Sequence, residues 1–515
     1  MLKVTKYDEE KSKFLISGFT NGFYIGHSEK PSNTEPVTFT KNKEAEKILK
    51  EVELKRVGGP YPSPPWEHYQ ISPIFLREKS VKGQYRMILD LSFSNSSTSV
   101  NEKIPKKFRT VTYSSVRDAI RFAAKMKKGA YMGKMDIKDA FRLLPIAPSD
   151  QKKLGFKHKN NYYFDRVLPQ GCGSSCYLFE KFSTSIHHIF SFFAPKCNMI
   201  HYLDDFLIIA PTFELCKRYQ DLFLYICETL GVPLAPHKVT VPSTECIFLG
   251  VMLDTNRKCA LLPKEKLKEY QDDIKTTLKK LYISVRQLQS IIGKLSFAAS
   301  VVPGRAFLRR LIRLLPKSQS DKRAIKLKKS AKLDLQTWKT FLKQYNRCSF
   351  FRSLRIINGK HYKLQSDASH KGFGGTFITN WVQHSFPTSW KKHHITILEF
   401  YPLYVLIYMF GAKVSNSIVY FYCDNIAVVE IVNKLTSKNK IVMHFLRKLV
   451  ILLVKMNIDL RAKHVPGLEN VLCDRISRFQ VDEELLKANG MNLQPTPLPV
   501  CLKPTSLAIQ QAMTS

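Results

Sequence analysis

Two adjacent carboxylates, Asp204 and Asp205, interrupt the apolar stretch HYLDDFLII at 201–209. Like charges side by side in a hydrophobic run are costly to desolvate unless a cation neutralises them. Met199 and Ile200 before the pair, and residues 206–209 after it, read as two strands, which puts the aspartates at the tip of a hairpin. Taken alone, that tip is a polar turn or a metal site. A second acidic segment, MDIKDAF, favours the metal site: Asp136 and Asp139 occupy a strand-like stretch that runs into the helix-compatible DAFRLL. Two strands that each carry an aspartate can gather carboxylates around a pair of divalent ions roughly 3.5–4 Å apart, which stabilises the attacking and leaving oxygens of a phosphoryl transfer. Oxygen-only ligands suit Mg2+, two per site, with Mn2+ as the alternative.

With LPQG at 168–171 between them, these two motifs resemble the palm of reverse transcriptases. The resemblance implies catalytic, metal-holding roles for Asp136, Asp204 and Asp205, and places Lys238 in LAPHKV near the family's motif D lysine. In PIFLREKSVKGQYRMILDLS, Lys79 and Arg86 match the fingers cations that hold the incoming triphosphate. Phe141 falls on the steric-gate position, and Gln170 and Gly171 on the segment that supports template and nucleotide. Phe248, Leu249 and Gly250 look like the primer grip, and VRQLQSIIGKLSFAASVVPG at 285–304 is similar to the thumb helix. There Gln289, Gly293 and Phe297 recur every four residues, so they share one helix face, which would lie against the minor groove of the template and primer. Singly, each has a plainer reading: Lys79, Arg86 and Lys238 as solvated charges, Phe141 as core, and the Gln-Gly-Phe stripe as helix packing.

A second set of acids lies downstream. LQSDASHKGFGGTFI reads as a strand ending in Asp367, a glycine turn and a second strand. ITILEFYPLYVLIYMF reads as a buried helix with one acid, Glu399, and VYFYCDNIAVVEIV as a strand ending at Asp424 and then a helix; Asp474 follows in HVPGLENVLCDRISR. A lone acid among Ile397, Leu398, Phe400 and Tyr401 is better explained by function than by solvation. The order Asp, Glu, Asp, Asp resembles ribonuclease H, in which four carboxylates hold two metals that hydrolyse the RNA strand of a hybrid. One departure is visible. Aligning VPG puts Leu468 near the position of a histidine that assists product release in cellular and retroviral forms, and His464 is not its equivalent.

The chain thus reads as an α+β right-hand polymerase of fingers, palm and thumb followed by an α/β ribonuclease H-like domain. Residues 1–70 are a lead-in of unassigned role, with helix-like KNKEAEKILKEVELKR and a proline-rich GGPYPSPPW. Fingers and palm fill 71–262 and the thumb 263–316. A basic linker or connection spans 317–359, the ribonuclease H-like domain 360–480 and a polar tail 481–515. Segments outside the catalytic sets, among them FLISGFTNGFYIGH and LSFSNSSTSVNEKIP, resemble the polyproteins of DIRS-like and Ngaro-like retrotransposons. That likeness implies a separately encoded tyrosine recombinase as a partner.

Composition agrees. The 515 residues hold 81 Lys and Arg against 42 Asp and Glu, a net charge of +39. So basic a chain is expected to bind a polyanion through many phosphate contacts: RNA template, DNA primer and RNA–DNA hybrid, with deoxynucleoside triphosphates as substrates. Eleven cysteines without a C-x-x-C pair argue against a zinc knuckle and for reduced thiols. The apolar runs are shorter than the roughly 20 residues of a membrane span, and no signal peptide core is present, so the reading is an intracellular protein of cytoplasm or nucleus with no membrane partner. Two other functions fit less well. An RNA-dependent RNA polymerase would have no use for a hybrid nuclease or for a bulky Phe141. A decayed or domesticated nucleic-acid-binding copy would be expected to have lost catalytic acids, and all seven are present.

Overall fold

The strands around the acidic pair form as the apolar pattern requires. In the computed structural model, which describes residues 1–27, 29, 42–78, 83–94, 99–126, 129–316, 324–346, 355–357, 362 and 364–514, the chain divides into two units, Met1–Lys258 and Cys259–Ser515.

In the first unit the lead-in is structural. Helix α1 (Glu9–Asn21) is capped by Asp8, which accepts from the Lys11 amide. It hands the chain to Phe23, a 1% exposed core residue whose backbone bridges Ile146. Helix α2 (Asn42–Glu53) carries Glu51, which accepts from Arg142 at 2.9 Å; Arg142 also pairs with buried Asp165 at 2.7 Å. Strand β1 (Val57–Tyr61), in the proline-rich stretch, pairs with a later strand, and β2 (Ile74–Glu78) forms a hairpin with β3 (Tyr85–Leu89). Next come β4 (Tyr131–Asp136), β5 (Gly155–His158) and β6 (Asn161–Asp165), the partner of β1. The segment after Asp136 makes only a 3-10 turn, Ala140–Leu143, where DAFRLL reads as a helix; Pro145 keeps residue 144 extended and ends it.

Helix α3 (Ser175–Phe193) and β7 (Asn198–Tyr202) lead to β8 (Asp205–Ala210), followed by α4 (Phe213–Thr229). β8 lies between β4 and β7 in a three-stranded antiparallel sheet. α3 packs on β7, and α4 on β8 and β4. Residues 206–210 are all at most 1% exposed, so β8 tolerates no polar residue until it reaches Asp205 at its end. Strands β9 (Glu245–Phe248) and β10 (Val251–Asp254) close the unit as a hairpin whose turn residues, Leu249 and Gly250, both take positive φ, as a two-residue turn of this hand requires.

The second unit begins with helices α5 (Lys264–Leu278), α6 (Val285–Ala298) and α7 (Lys329–Gln344). α6 starts with a capping box between Ser284 and Gln287. Helix α7 corrects the reading of 317–359 as a linker. Trp338, Leu335 and Leu342 are at most 1% exposed, and α7 packs on α5, because its apolar residues recur at helical spacing among the lysines. Residues 317–323 and 347–354 lie outside the described residues.

A mixed sheet follows. β11 (Gln365–Ala368), β12 (Gly372–Phe377) and β13 (Asn380–Ser385) run antiparallel, and β14 (Ser417–Cys423) joins β11 in parallel. Helix α8 (Ile395–Phe410) precedes β14; α9 (Ile426–Lys434), α10 (Lys440–Met456), β15 (Asp459–His464) and α11 (Val471–Arg478) complete the layer, with β15 parallel to β14. The glycines of KGFGG set the layer spacing. Consecutive strand residues face opposite sides: a Cβ on Gly374 would lie 2.5 Å from Ile476 of α11, and one on Gly375 2.9 Å from Leu406 of α8. Both helices sit too close to the sheet for any side chain there.

Two further readings change. The stretch Ile395–Val414 is long and apolar enough to cross a membrane, and 67% of it is buried inside the unit. The stretch 481–515 is not a free tail. Trp381 Nε1 donates to the Asn492 carbonyl at 2.7 Å, Tyr401 Oη to Leu502 at 2.7 Å and Trp390 Nε1 to Thr505 at 2.9 Å. Leu502, Ile509 and Ala512 are at most 2% exposed, the last two on α12 (Ser506–Thr514), which packs on α10.

Asp334 of α7 ties the helices to the sheet layer. Its carboxylate lies 2.6 Å from Arg310 Nη1 and 3.4 Å from Arg447 Nε of α10. Burial raises Asp334 to about 6, against the pull of Arg447 and Arg310, and lowers Arg447 to about 10, so both are ionised at neutral pH. Removing one partner of a buried ion pair leaves an uncompensated charge, at about 3–5 kcal/mol. Asp334→Asn is therefore expected to lower the urea unfolding midpoint of the chain markedly, and a midpoint equal to wild type would show that the pair contributes nothing.

Candidate active sites

The hairpin tip is a two-residue turn. Tyr202 pairs with Asp205 across it, and Leu203, at φ 54°, leaves Asp204 at the apex. On the other side of β8, Asp136 is the direct cross-strand partner of Asp205. Opposed strand residues place their Cβ atoms about 4.5–5.5 Å apart, so register alone brings these two carboxylates together. Burial, then Asp136 and Asp205, raises Asp204 to about 6. Burial also raises Asp136, with Asp205 adding to it and Lys238 opposing.

Two ammonium groups answer that charge. Lys238 Nζ lies 2.7 and 2.8 Å from the two Asp136 oxygens, which joins the motif D lysine to the site. Lys134 Nζ lies 2.8 Å from Asp205 Oδ1. Lys134 does not stand out in the sequence, although the alternation of MGKMD puts it on the same strand face as Asp136. Asp139 is excluded from the cluster: it takes φ 54° and pairs with Arg56 at 3.1 Å.

The other expected residues are distributed as follows. Phe141 is half-buried in the 3-10 turn and meets Phe179 of α3 edge-on, ring centroids 5.4 Å apart. The Gln170 carbonyl accepts from the Leu89 amide at 2.9 Å, and the Gly171 carbonyl from Asn101 Nδ2 at 2.9 Å. Gly171 is at φ 119°, where a Cβ would lie 1.9 Å from the Leu89 oxygen, so only glycine fits against β3. Arg86 is exposed on β3 opposite Arg77. Lys79 lies outside the described residues. Phe248 is 0% exposed, which corrects its place among nucleic-acid contacts; the bulky ring anchors the hairpin in the core, and Leu249 and Gly250 alone lie at the turn. Gln289 and Gly293 are exposed on α6, no atom lies within 4 Å of a Cβ built on Gly293, and Phe297 is half-buried with Lys266 Nζ 4.3 Å from its ring centroid.

In the second unit the four acids line one cavity of about 590 Å3 with Ser369, His370, Lys371, Arg478 and others. Asp367 extends from β11, Glu399 from the first turns of α8, Asp424 from the residue after β14 and Asp474 from α11. Burial raises Glu399 to about 7, opposed by Asn425, with Asp424 and Asp367 pushing the same way. Burial also raises Asp367, against a 2.6 Å hydrogen bond donated by Ser477 Oγ. Arg478 Nε lies 2.8 Å from Asp474 Oδ1. Ser477 and Arg478 sit three and four residues after Asp474, so helical spacing could have found them. Cys423 also belongs here: its thiol and the carboxylates of Glu399 and Asp424 have ligand atoms within 4.8 Å of one another. Leu468 is 91% exposed, and His464 Nε2 lies 3.1 Å from the Asp424 carbonyl oxygen.

Both clusters fit divalent cations on the chemistry of their donors. Each gathers carboxylates whose mutual repulsion and burial hold at least one proton affinity above the usual range, and a hard cation relieves that cost.

Comparison with known proteins agrees with this geometry. The family described as "Reverse transcriptase (RNA-dependent DNA polymerase)" matches residues 76–253. Similar proteins include the Gag-Pro-Pol polyprotein of Mason-Pfizer monkey virus, 26% identical over 46% of this chain and 13% of that protein. Protein P of duck hepatitis B virus is 24% identical over 46% of this chain and 29% of that protein. A putative enzymatic polyprotein of cassava vein mosaic virus is 22% identical over 79% of this chain and 60% of that protein. The chain therefore spans only part of each. Among solved structures, two of foamy viral protease-reverse transcriptase with double-stranded DNA share the fold. One, titled as the dRH form, has a TM-score of 0.52 at 16% identity, covering 85% of this chain and 72% of its own; the other has a TM-score of 0.50 at 16% identity, covering 90% and 96%. The chain shares its polymerase fold with these structures, and residues 76–253 match the reverse transcriptase family, with similarity to viral polyproteins.

Proposed function

We propose that the chain copies RNA into DNA at the Asp136–Asp204–Asp205 site and cleaves the RNA strand of the resulting hybrid at the Asp367–Glu399–Asp424–Asp474 site. The observation that carries the first half is the register of β4 and β8, which sets Asp136 directly against Asp205 beside the Asp204 turn. The four-acid cavity supports the second half. When bound, two Mg2+ ions at each site, or Mn2+ in their place, would supply the positive charge that stabilises the attacking and leaving oxygens. Asp136, Asp204 and Asp205 would hold them in the first unit; Asp367, Glu399, Asp424 and Asp474 would do so in the second.

The chain's own groups do the rest. Lys238 and Lys134 orient the Asp136 and Asp205 carboxylates. In the nuclease cavity Ser477 fixes the Asp367 carboxylate and Arg478 that of Asp474. The Gly171 contact pins the 168–171 segment to β3, the strand that also carries Arg86. Template RNA, primer DNA and deoxynucleoside triphosphates are the substrates on this reading. The segments FLISGFTNGFYIGH and LSFSNSSTSVNEKIP support a DIRS-like origin, with a tyrosine recombinase supplied separately.

Asp204→Asn is expected to abolish primer extension on an RNA template while leaving hybrid cleavage within a few-fold of wild type, because bound-metal electrostatics is among the largest catalytic contributions. Extension within tenfold of wild type would remove the hairpin from the site. Asp367→Asn should do the reverse, stopping RNA cleavage and sparing DNA synthesis; degradation at the wild-type rate by this variant would end the four-acid reading.

Phe141 decides sugar choice on this reading, since a bulky ring beneath the sugar clashes with a 2′-hydroxyl. Phe141→Val should raise ribonucleotide incorporation by orders of magnitude at a much smaller cost to deoxynucleotides. A purely structural Phe141, packed on Phe179, predicts parallel losses for both sugars together with a lower Tm, since shortening the ring gives up its packing against the core. The ratio of kcat/KM for matched ribo- and deoxynucleotides separates the two.

A further inference from the structure

Two guanidinium groups approach one carboxylate in the second unit, and a third interacts with both of them. Arg310 and Arg447 both approach Asp334 Oδ1, and Arg313, one turn beyond Arg310, donates from Nη2 to the Lys438 carbonyl at 2.6 Å. Arg447 is 6% exposed. Its Nη1 donates to the Met443 carbonyl at 3.3 Å, but its Nη2 is buried with no hydrogen-bond acceptor among the described residues. The Nε of Arg309, next to Arg310 in the short helix Arg309–Ile312, is buried in the same unsatisfied way.

Such an arrangement is costly as it stands. A buried donor without an acceptor loses its full hydration, and more so when charged. The charges are also unbalanced. Burial, then Arg309 and Arg310, lowers the proton affinity of Arg313; burial lowers that of Arg447 to about 10 even with Asp334 beside it, because Arg310 and Arg313 oppose Asp334. His444, one turn before Arg447 on α10, is neutral at physiological pH: burial, then Lys448, Arg310 and Arg447, lower it to about 4. Asp334 thus faces two guanidiniums, Arg310 and Arg447, and Arg313 adds a third positive charge that no acid pairs with among the described residues.

Tetrahedral oxyanions fit this donor set best, because planar guanidinium forks pair with phosphate oxygens two at a time. We propose that Arg310, Arg313 and Arg447 form a phosphate-binding subsite, which takes a phosphodiester of bound nucleic acid or a free phosphate ion. Such a subsite is independent of both catalytic assignments, since none of these residues belongs to an acidic cluster.

The test uses the full chain, as wild type, Arg447→Gln and Arg313→Gln. Arg313 is exposed and its hydrogen bond goes to a carbonyl, so its variant should fold even if Arg447→Gln does not. Two quantities are measured: Tm in inorganic phosphate against chloride at equal ionic strength, and the salt dependence of affinity for an RNA–DNA hybrid. Phosphate is expected to raise the wild-type Tm, and Arg313→Gln to lose at least half of that rise. If the occupant is a phosphodiester, the slope of log affinity against log salt should also fall by about 1 in Arg313→Gln, as for one lost phosphate contact. Lost phosphate protection with an unchanged slope assigns the subsite to the free ion. A rise in Tm that is the same in wild type and Arg313→Gln, or no rise in wild type together with an unchanged slope, overturns the proposal.

Discussion

Repulsion among Asp136, Asp204 and Asp205 is the constraint on which the first unit depends. The register of β4 and β8 forces two of these carboxylates face to face, and the adjoining turn adds the third. Such a cluster persists only because the surrounding structure over-determines it. β8 is buried on both faces along its length, between two strands and beneath α4, so any other register would have to repack all of residues 206–210. A one-residue slip would turn every one of those side chains to the wrong face. Hydrophobic burial thus holds the charges together, and Lys134 and Lys238 moderate the cost.

The parts of this arrangement that were legible in the sequence are those governed by local pattern. The adjacent aspartates in an apolar run announce the hairpin, and MDIKDAF announces the strand that brings Asp136 to it. The helix Val285–Ala298 is legible through the four-residue spacing of Gln289, Gly293 and Phe297, and the capping box of Ser284 and Gln287 is a local signal that the reading left out. What was illegible depends on partners distant in the chain. Nothing near Asp139 shows that Arg56 would draw it away from the metal cluster, and nothing near Phe248 shows that its ring would be wholly buried. The stretch 317–359 reads as a linker because lysines dominate its composition, yet Leu335, Trp338 and Leu342 give α7 a buried face.

The second unit reaches a similar end by different means. Its acids come from two strand ends and two helices, and no single register aligns them. Helix-to-sheet spacing does so instead: Gly374 and Gly375 let α11 and α8 approach opposite faces of β12, which brings Asp474 and Glu399 toward Asp367 on the neighbouring strand. A methyl group at either glycine would act on the acids through the distance between layers. The sequence reads these glycines as a turn; the structure corrects this, since the chain turns at 369–371 and both glycines lie within β12.

The segment beyond residue 481 has a consequence for how the chain matures. Its backbone carbonyls receive the indole and phenol donors of Trp381, Trp390 and Tyr401, and its apolar residues cover α10. The second unit therefore cannot finish its core while the ribosome still holds these residues in its exit tunnel. The sheet that carries Asp136 and Asp205 has all its strands by Ala210 and is under no such delay. During synthesis the first unit can be complete while the second is still open, so the order of translation matches the order in which the two proposed reactions are needed.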